Sequence, residues 1–143
     1  MIMSTGAAAK LIVWSDRYSV GIARIDAQHR KLVDLINELH EAMLEGRGND
    51  VIEKTLDALA AYTVTHFASE EGLMKQCAYP GYAEQKAEHV RLLAQVKLLQ
   101  EKSRTKGIAL TLELASFLKH WLIDHIAALD KKYTAHLRAA GIT

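Results

Sequence analysis

Hydrophobic residues recur every three or four positions along most of the chain after residue 25. This spacing is typical of helices that bury one face. Glycine-containing segments and the single proline, Pro80, interrupt the pattern and mark helix ends. We therefore predict four helices, over about residues 26–44, 50–76, 82–102 and 108–139. The positions expected to face the core are Ile25, Leu32, Ile36, Leu39, Met43, Ile52, Leu56, Leu59, Thr63, Leu73, Leu92, Val96, Leu99, Leu114, Leu118, Trp121, Leu122 and Leu129.

Long helices joined by short connections pack as antiparallel neighbours. No long stretch of the chain alternates between polar and apolar residues as a strand does. We expect an all-α protein with a single domain over residues 1–143, in which an up-down-up-down four-helix bundle occupies about residues 25–140. Residues 1–24 are expected to form an extended N-terminal arm on the outside of the bundle, with Trp14 and Tyr18 as its packing anchors.

The composition is that of an ordinary globular protein, with 50% hydrophobic and 24% charged residues in 143. A net charge of +1 and scattered basic residues argue against nucleic acid or a membrane surface as a partner. No apolar run approaches the roughly 18 residues that span a bilayer, and the first ten residues do not have the pattern of a signal peptide. The single cysteine, Cys77, cannot form an internal disulfide, which fits a reducing compartment, so we expect the protein in the cytoplasm. We also expect it to be a monomer.

Polar side chains interrupt the buried stripe of every predicted helix. His29 lies on the stripe of the first helix, His66 and Glu70 on the second, His89 on the third and His125 on the fourth. A buried carboxylate is unfavourable unless it is paired or bound to a metal. One histidine on an apolar face is usually a core residue, but four of them with a carboxylate indicate a metal site.

Heights along the bundle support this interpretation. Residues on adjacent antiparallel helices lie at one level when they are equally far from the connecting loop. In each facing pair of polar residues these distances differ by at most one residue, which is roughly 2 Å or less along a helix. The pairs are His29 with His66, Glu70 with His89, and Gln85 with His125. All four helices are therefore predicted to send ligand-type side chains to one layer.

Three further histidines and one aspartate lie outside this pattern. His40 and His136 are each eleven residues from a layer histidine, about 16 Å along the axis, and His120 should be solvated. Asp130 follows His125 by five residues, which is about 140° around an ideal helix and puts it at the edge of the stripe. Spacing alone leaves its role open; a π-bulge or a carboxylate that reaches sideways would bring it to the layer.

The predicted ligands belong to longer motifs. These read Gly21-Ile22-x-x-Ile25-Asp26-x-Gln28-His29, His66-Phe67-x-x-Glu70-Glu71-x-x-Met74, Tyr79-Pro80 and Trp121-Leu122-x-x-His125-Ile126-x-x-x-Asp130. In this order and spacing they resemble the hemerythrin family, specifically its single-domain bacterial members. The resemblance extends over nearly the whole chain, from Trp14 to Tyr133.

The resemblance implies two iron ions (Fe²⁺/Fe³⁺) bridged by an oxo or hydroxo group and by the carboxylates of Glu70 and Asp130. One iron would be held by two histidines and the other by two more. The implied pairs are His29 with His66, and His89 with His125. The family has a further histidine at the position of Gln85, and this is the chain's one clear departure from the pattern.

Gln85 leaves three outcomes open. Its amide oxygen, a neutral and weaker donor than imidazole, could ligate the second iron, a water could take the place, or that iron could stay five-coordinate. We expect weak ligation or a water.

The function implied by the resemblance is reversible dioxygen binding for storage, transport or delivery, without enzyme activity. Leu122 matches the family's gating leucine, and Trp121 and Phe67 would complete an apolar oxygen pocket, although simple core filling also explains them. The alternatives are a di-iron enzyme, acting as an oxidase, a peroxidase or a nitric oxide reductase, and an oxygen- or iron-sensing module. No inward acid or base beyond the ligands is identified, which argues against the enzyme.

Overall fold

The computed structural model describes residues 10–46, 49–106 and 112–143, without the side chains of residues 49, 105, 106 and 112–115. Four long helices dominate the described residues, and none of these residues forms a strand. A 3₁₀ turn lies in the N-terminal arm, and a second 3₁₀ turn and a short helix follow the fourth long helix. The bounds are Asp16–Tyr18 for the first turn, α1 Ala23–Leu44, α2 Asn49–Gln76, α3 Tyr82–Lys106, α4 Leu112–Ala128, Asp130–Tyr133 for the second turn, and α5 Thr134–Ala139.

The predicted all-α bundle is confirmed. α1 packs along α2, α2 packs along α3, and α4 closes against α1. Of the predicted core positions, Met43, Leu99 and Leu129 are only half-buried, and the side chain of Leu114 lies outside the described residues; the others are buried. Among the described helices, none has the length and apolar character needed to cross a membrane.

The prediction of one continuous helix to residue 139 is wrong. α4 ends at Ala128. The next residue, Leu129, stays in the right-handed α region, but its φ of −119° lies far from the value of about −63° in a regular helix. The Leu129 amide still donates to the His125 carbonyl at 3.0 Å, but the next turn closes three residues on, where the Lys132 amide donates to the Leu129 carbonyl at 3.0 Å. The irregularity is therefore a helix end followed by a 3₁₀ turn, and the alternative of a π-bulge is also wrong.

The arm packs on the bundle as an extended segment from residue 10 onward; residues 1–9 of the predicted arm lie outside the described residues. The side chain of Asn37 bonds both the amide and the carbonyl of Ile12, at 2.9 and 2.8 Å. The rings of Trp14 and Tyr18 lie 5.8 Å apart and pack against the core as half-buried anchors. The arm thereby covers the side of α1 that carries Asn37.

Candidate metal centre

Six side chains converge in the middle of the bundle, and all are at most 6% exposed. They form two groups of four in which one nitrogen or oxygen atom of each residue lies within 4.8 Å of the others. Both groups include Glu70 and Asp130. The first group adds His29 and His66, and the second adds His89 and His125. The structure thus brings together the four histidines and both carboxylates predicted from the sequence.

The closest approaches all join an imidazole Nε2 to a carboxylate oxygen. On one side, the Nε2 atom of His29 is 3.0 Å from Asp130 Oδ2, and that of His66 is 3.1 Å from Glu70 Oε1. On the other side, the distances are 2.9 Å from His125 Nε2 to Asp130 Oδ1 and 3.3 Å from His89 Nε2 to Glu70 Oε1. The two carboxylates therefore lie between the two histidine pairs, as bridging groups would.

These polar atoms fit a bound cation. The four Nε2 atoms, Oε1 of Glu70 and both oxygens of Asp130 are buried and have no hydrogen-bond partner among the described residues. So many buried atoms without partners would be unfavourable in a structural core. Metal ions at the shared centre would satisfy them together. Imidazole and carboxylate ligands suit iron, and also zinc or manganese.

Two neighbours orient the histidines. Nδ1 of His66 lies 2.7 Å from Gln28 Oε1, and Nδ1 of His89 lies 2.8 Å from Glu71 Oε2. An Nδ1–H that donates to such an oxygen leaves the Nε2 lone pair free for a metal. Sequence reasoning gave Gln28 and Glu71 no role. Their places directly beside His29 and Glu70 were the only sequence signal.

Tyr133 is a third residue that sequence reasoning missed. Its buried hydroxyl donates a 2.6 Å hydrogen bond to Glu70 Oε2. Burial and the nearby carboxylates of Glu70 and Asp130 raise the pKa of Tyr133 well above its usual value, so the phenol stays protonated. The expectation that no inward acid or base lies beyond the ligands is therefore wrong.

The layer has shifted pKa values in the absence of a cation. Burial raises the pKa of Glu70, but the charge of His66 and the close approach of the His125, His66 and His89 rings outweigh this effect and hold it well below the usual value. Burial lowers the pKa of His125, but Asp130 and then Glu70 raise it by more, so the net effect is a pKa of about 10. A proton on His125 thus compensates the buried carboxylates in part, a role that cations would take over.

Gln85 is 2% exposed and reaches from α3 toward the end of α4. Its Nε2 donates a 3.0 Å hydrogen bond to the Leu129 carbonyl. Its Oε1 is buried and has no hydrogen-bond partner among the described residues. The amide is therefore held at one end and offers a free oxygen at the other. Its role as a ligand stays a prediction.

The predicted oxygen pocket corresponds to a tightly packed apolar region beside the layer. Phe67 also stacks flat on His89, with ring centroids 3.9 Å apart. The side chains leave no water-sized opening, so a ligand can enter only when they move. The lining residues are Leu32, His66, Phe67, Leu92, Trp121, Leu122 and His125.

The other three histidines belong to neither group. His120 is exposed, and His40 is half-buried in α1. Nε2 of His136 lies 2.8 Å from the Cys77 carbonyl, in the connection between α2 and α3. The exposure of His120 agrees with the expectation that it is solvated; the lack of a ligand role for these three histidines stays a prediction.

Comparison with known proteins adds independent information. The family model described as the hemerythrin HHE cation binding domain matches residues 20–137, which include every predicted ligand. The chain is 34% identical to the bacteriohemerythrin of Methylococcus capsulatus, with 90% of this chain and 98% of that protein covered. It is 31% identical to a hemerythrin of Sipunculus nudus, with 85% and 89% covered.

Solved structures share the fold. A crystal structure of wild-type hemerythrin gives a TM-score of 0.82 at 34% identity and covers 89% of this chain and 98% of its own. A crystal structure of a hemerythrin point mutant gives 0.84 at 32% identity, with 90% and 98% covered. Because the family model and relatives above 30% identity match most of its length, this chain belongs to the hemerythrin family.

Proposed function

We propose that this protein holds two iron ions, bridged by an oxo or hydroxo group, and binds dioxygen reversibly. The observation that carries this proposal is the pair of four-residue groups that share Glu70 and Asp130. Two carboxylates common to two clusters are what two neighbouring ions need, since each carboxylate can give one oxygen to each ion. Storage, transport or delivery of oxygen would follow from such binding.

In the proposed assignment His29 and His66 hold the first iron, and His89 and His125 hold the second. Gln85 Oε1 or a water completes the second site. If Gln85 Oε1 ligates, the first ion has one protein ligand fewer than the second and would keep an open position. Gln28 and Glu71 contact the Nδ1 atoms of His66 and His89, on the side of each ring that faces away from the metal site. Loss of such partners weakens metal binding.

Iron that cycles between Fe²⁺ and Fe³⁺ would supply electrons for reversible dioxygen binding when bound. The protein controls the polarity and the water content around the metal site. Leu122, Trp121 and Phe67 keep the pocket beside His66 apolar and closed to water. Exclusion of water limits proton entry, and slow proton entry favours release of dioxygen over its reduction. The Tyr133 hydroxyl donates a hydrogen bond to Glu70 Oε2 and so fixes the orientation of that carboxylate.

Iron quantitation with visible spectra of the reduced protein before and after air tests the proposal. We expect two irons per chain and a charge-transfer band that appears in air and disappears when oxygen is removed. His29→Ala should lose iron, whereas His120→Ala, at an exposed histidine, should retain both ions. Fewer than two metal ions in the wild type, or a band that never reverses, would contradict the proposal.

A redox enzyme is a second candidate, because Tyr133 places a proton donor on Glu70 and Gln85 replaces a family ligand. Turnover of hydrogen peroxide or nitric oxide that disappears in Gln85→His would favour it. Slow turnover that is equal in both proteins would favour oxygen binding alone. The sensing alternative, the monomeric state and the cytoplasmic location stay predictions.

A further inference from the structure

Asp130 reaches the metal layer only because α4 ends before it. On a continuous helix it would lie about 140° from His125, yet its Oδ1 is 2.9 Å from His125 Nε2 and its side chain is fully buried. The change of direction occurs at Leu129, with φ −119° and ψ −52°. Any contact that stabilises Leu129 in this conformation also determines where Asp130 points.

The Leu129 carbonyl accepts two hydrogen bonds. One is local, from the Lys132 amide at 3.0 Å, and closes the 3₁₀ turn. The other comes from the Gln85 side chain on α3, also at 3.0 Å, across 44 residues of sequence. Gln85 therefore ties the residue that directly follows α4 to another helix. The same carbonyl would otherwise be free to accept from a continued helix.

We infer that Gln85 is a positioning residue: by holding the Leu129 carbonyl, its side-chain amide keeps α4 from continuing and directs Asp130 into the metal layer. The inference rests on the proposed function only in that Asp130 is taken as a ligand. It differs from a ligand role for Oε1, because the amide nitrogen acts whether or not metal is bound. Both ends of the amide can serve together.

The two roles make different predictions about the metals. Asp130 belongs to both groups of candidate ligands, so a loss of its positioning weakens both sites. A side chain that served only as a ligand of the second ion would affect that site alone. The turn at residues 130–133 would also loosen, because a carbonyl that loses one of its hydrogen bonds costs about 1 kcal/mol or more, or roughly five- to tenfold in an opening equilibrium.

Amide hydrogen exchange in ¹⁵N-labelled full-length protein, without metal and with Zn²⁺, tests the inference. In Gln85→Met the donor and the oxygen are lost, and in Gln85→Glu only the donor is lost at a pH at which the carboxyl is ionised. Both variants should exchange the amides of residues 130–133 roughly five- to tenfold faster than the wild type without metal. The matched control is Gln95→Met, at a half-buried glutamine of the same helix, which should leave this exchange unchanged.

Zn²⁺ titration adds a second measurement. Both zinc-binding steps should weaken in Gln85→Met, and unchanged exchange together with loss of one step only would overturn the positioning role. If the variants do not fold, hydrogen exchange in the wild-type protein tests the inference instead. Its Gln85 side-chain amide protons should exchange at least tenfold more slowly than those of exposed Gln76; equal rates would refute the inference. A wild type that shows the slow exchange but binds no iron would refute the proposed function alone.

Discussion

Replacement of Tyr133 by phenylalanine isolates one hydrogen bond at the candidate centre. The ring is fully buried and its hydroxyl donates to Glu70 Oε2 at 2.6 Å, so Tyr133→Phe removes the bond and keeps most of the packing. A hydrogen bond to a charged group contributes about 1.5–3 kcal/mol. For a chain of this length the melting temperature should therefore fall by roughly 4–10 °C.

The loss should depend on pH in a defined direction. Glu70 has a pKa in the folded protein well below its ordinary value, so its ionised form stabilises the fold at and above the unfolded pKa of about 4.3. As pH falls through the lower folded pKa, Glu70 is protonated and the charge-assisted bond is lost in the wild type too. The difference between wild type and variant should thus be full at pH 7 and narrow at the acid end.

Thermal unfolding of the metal-free protein, followed by circular dichroism from pH 7 downward, measures both effects. Tyr82→Phe is the control, because Tyr82 is half-buried and lies beside Lys75 rather than the layer; its melting temperature should change by about 1 °C or less. Equal melting temperatures for Tyr133→Phe and the wild type at pH 7 would refute the reasoning. A difference in melting temperature that does not change with pH would indicate lost packing rather than a lost hydrogen bond to Glu70.

Three further substitutions test the centre and its pocket. Gln85→His should slow oxidation to the diferric form in stopped-flow experiments, because an imidazole would close the exchangeable position that a weakly bound amide or a water leaves on the second ion; equal oxidation rates and equal metal occupancy would count against this. Leu122→Ala should lower the free energy of unfolding by about 2–4 kcal/mol and speed autoxidation by admitting water, and an unchanged autoxidation rate would remove Leu122 from the barrier. Gln28→Ala should weaken metal binding by roughly 10–100-fold in a competition titration with a chelator, through the loss of its contact with His66, whereas affinity equal to that of the wild type would show that Gln28 is dispensable.

The sequence was sufficient for the four helices and for the level at which their polar residues meet. Both follow from local rules, since 3.6 residues per turn decide which side chains share a face and 1.5 Å per residue decides their height. His29, His66, Glu70, His89 and His125 were predicted on this basis alone. The structure brings their side chains within reach of common metal ions.

Asp130 shows where this reasoning ends. Helical spacing placed it at the edge of the stripe, and only the family resemblance argued for a role. No proline or glycine marks the end of α4 in the sequence. It depends on a backbone conformation at Leu129 and on a hydrogen bond from Gln85, 44 residues away.

The amino-acid sequence by itself thus determined the helices, their buried faces and the common layer of histidines, because each depends on residues within a few turns of one another. The tertiary structure alone decided how Asp130 turns inward, which proton donor meets Glu70 and what orients the rings of His66 and His89. The bond from Tyr133 to Glu70 spans 63 residues and that between Gln28 and His66 spans 38. Such contacts exist only after the helices have packed, and no periodicity along the chain encodes the final few ångströms between side chains on different helices.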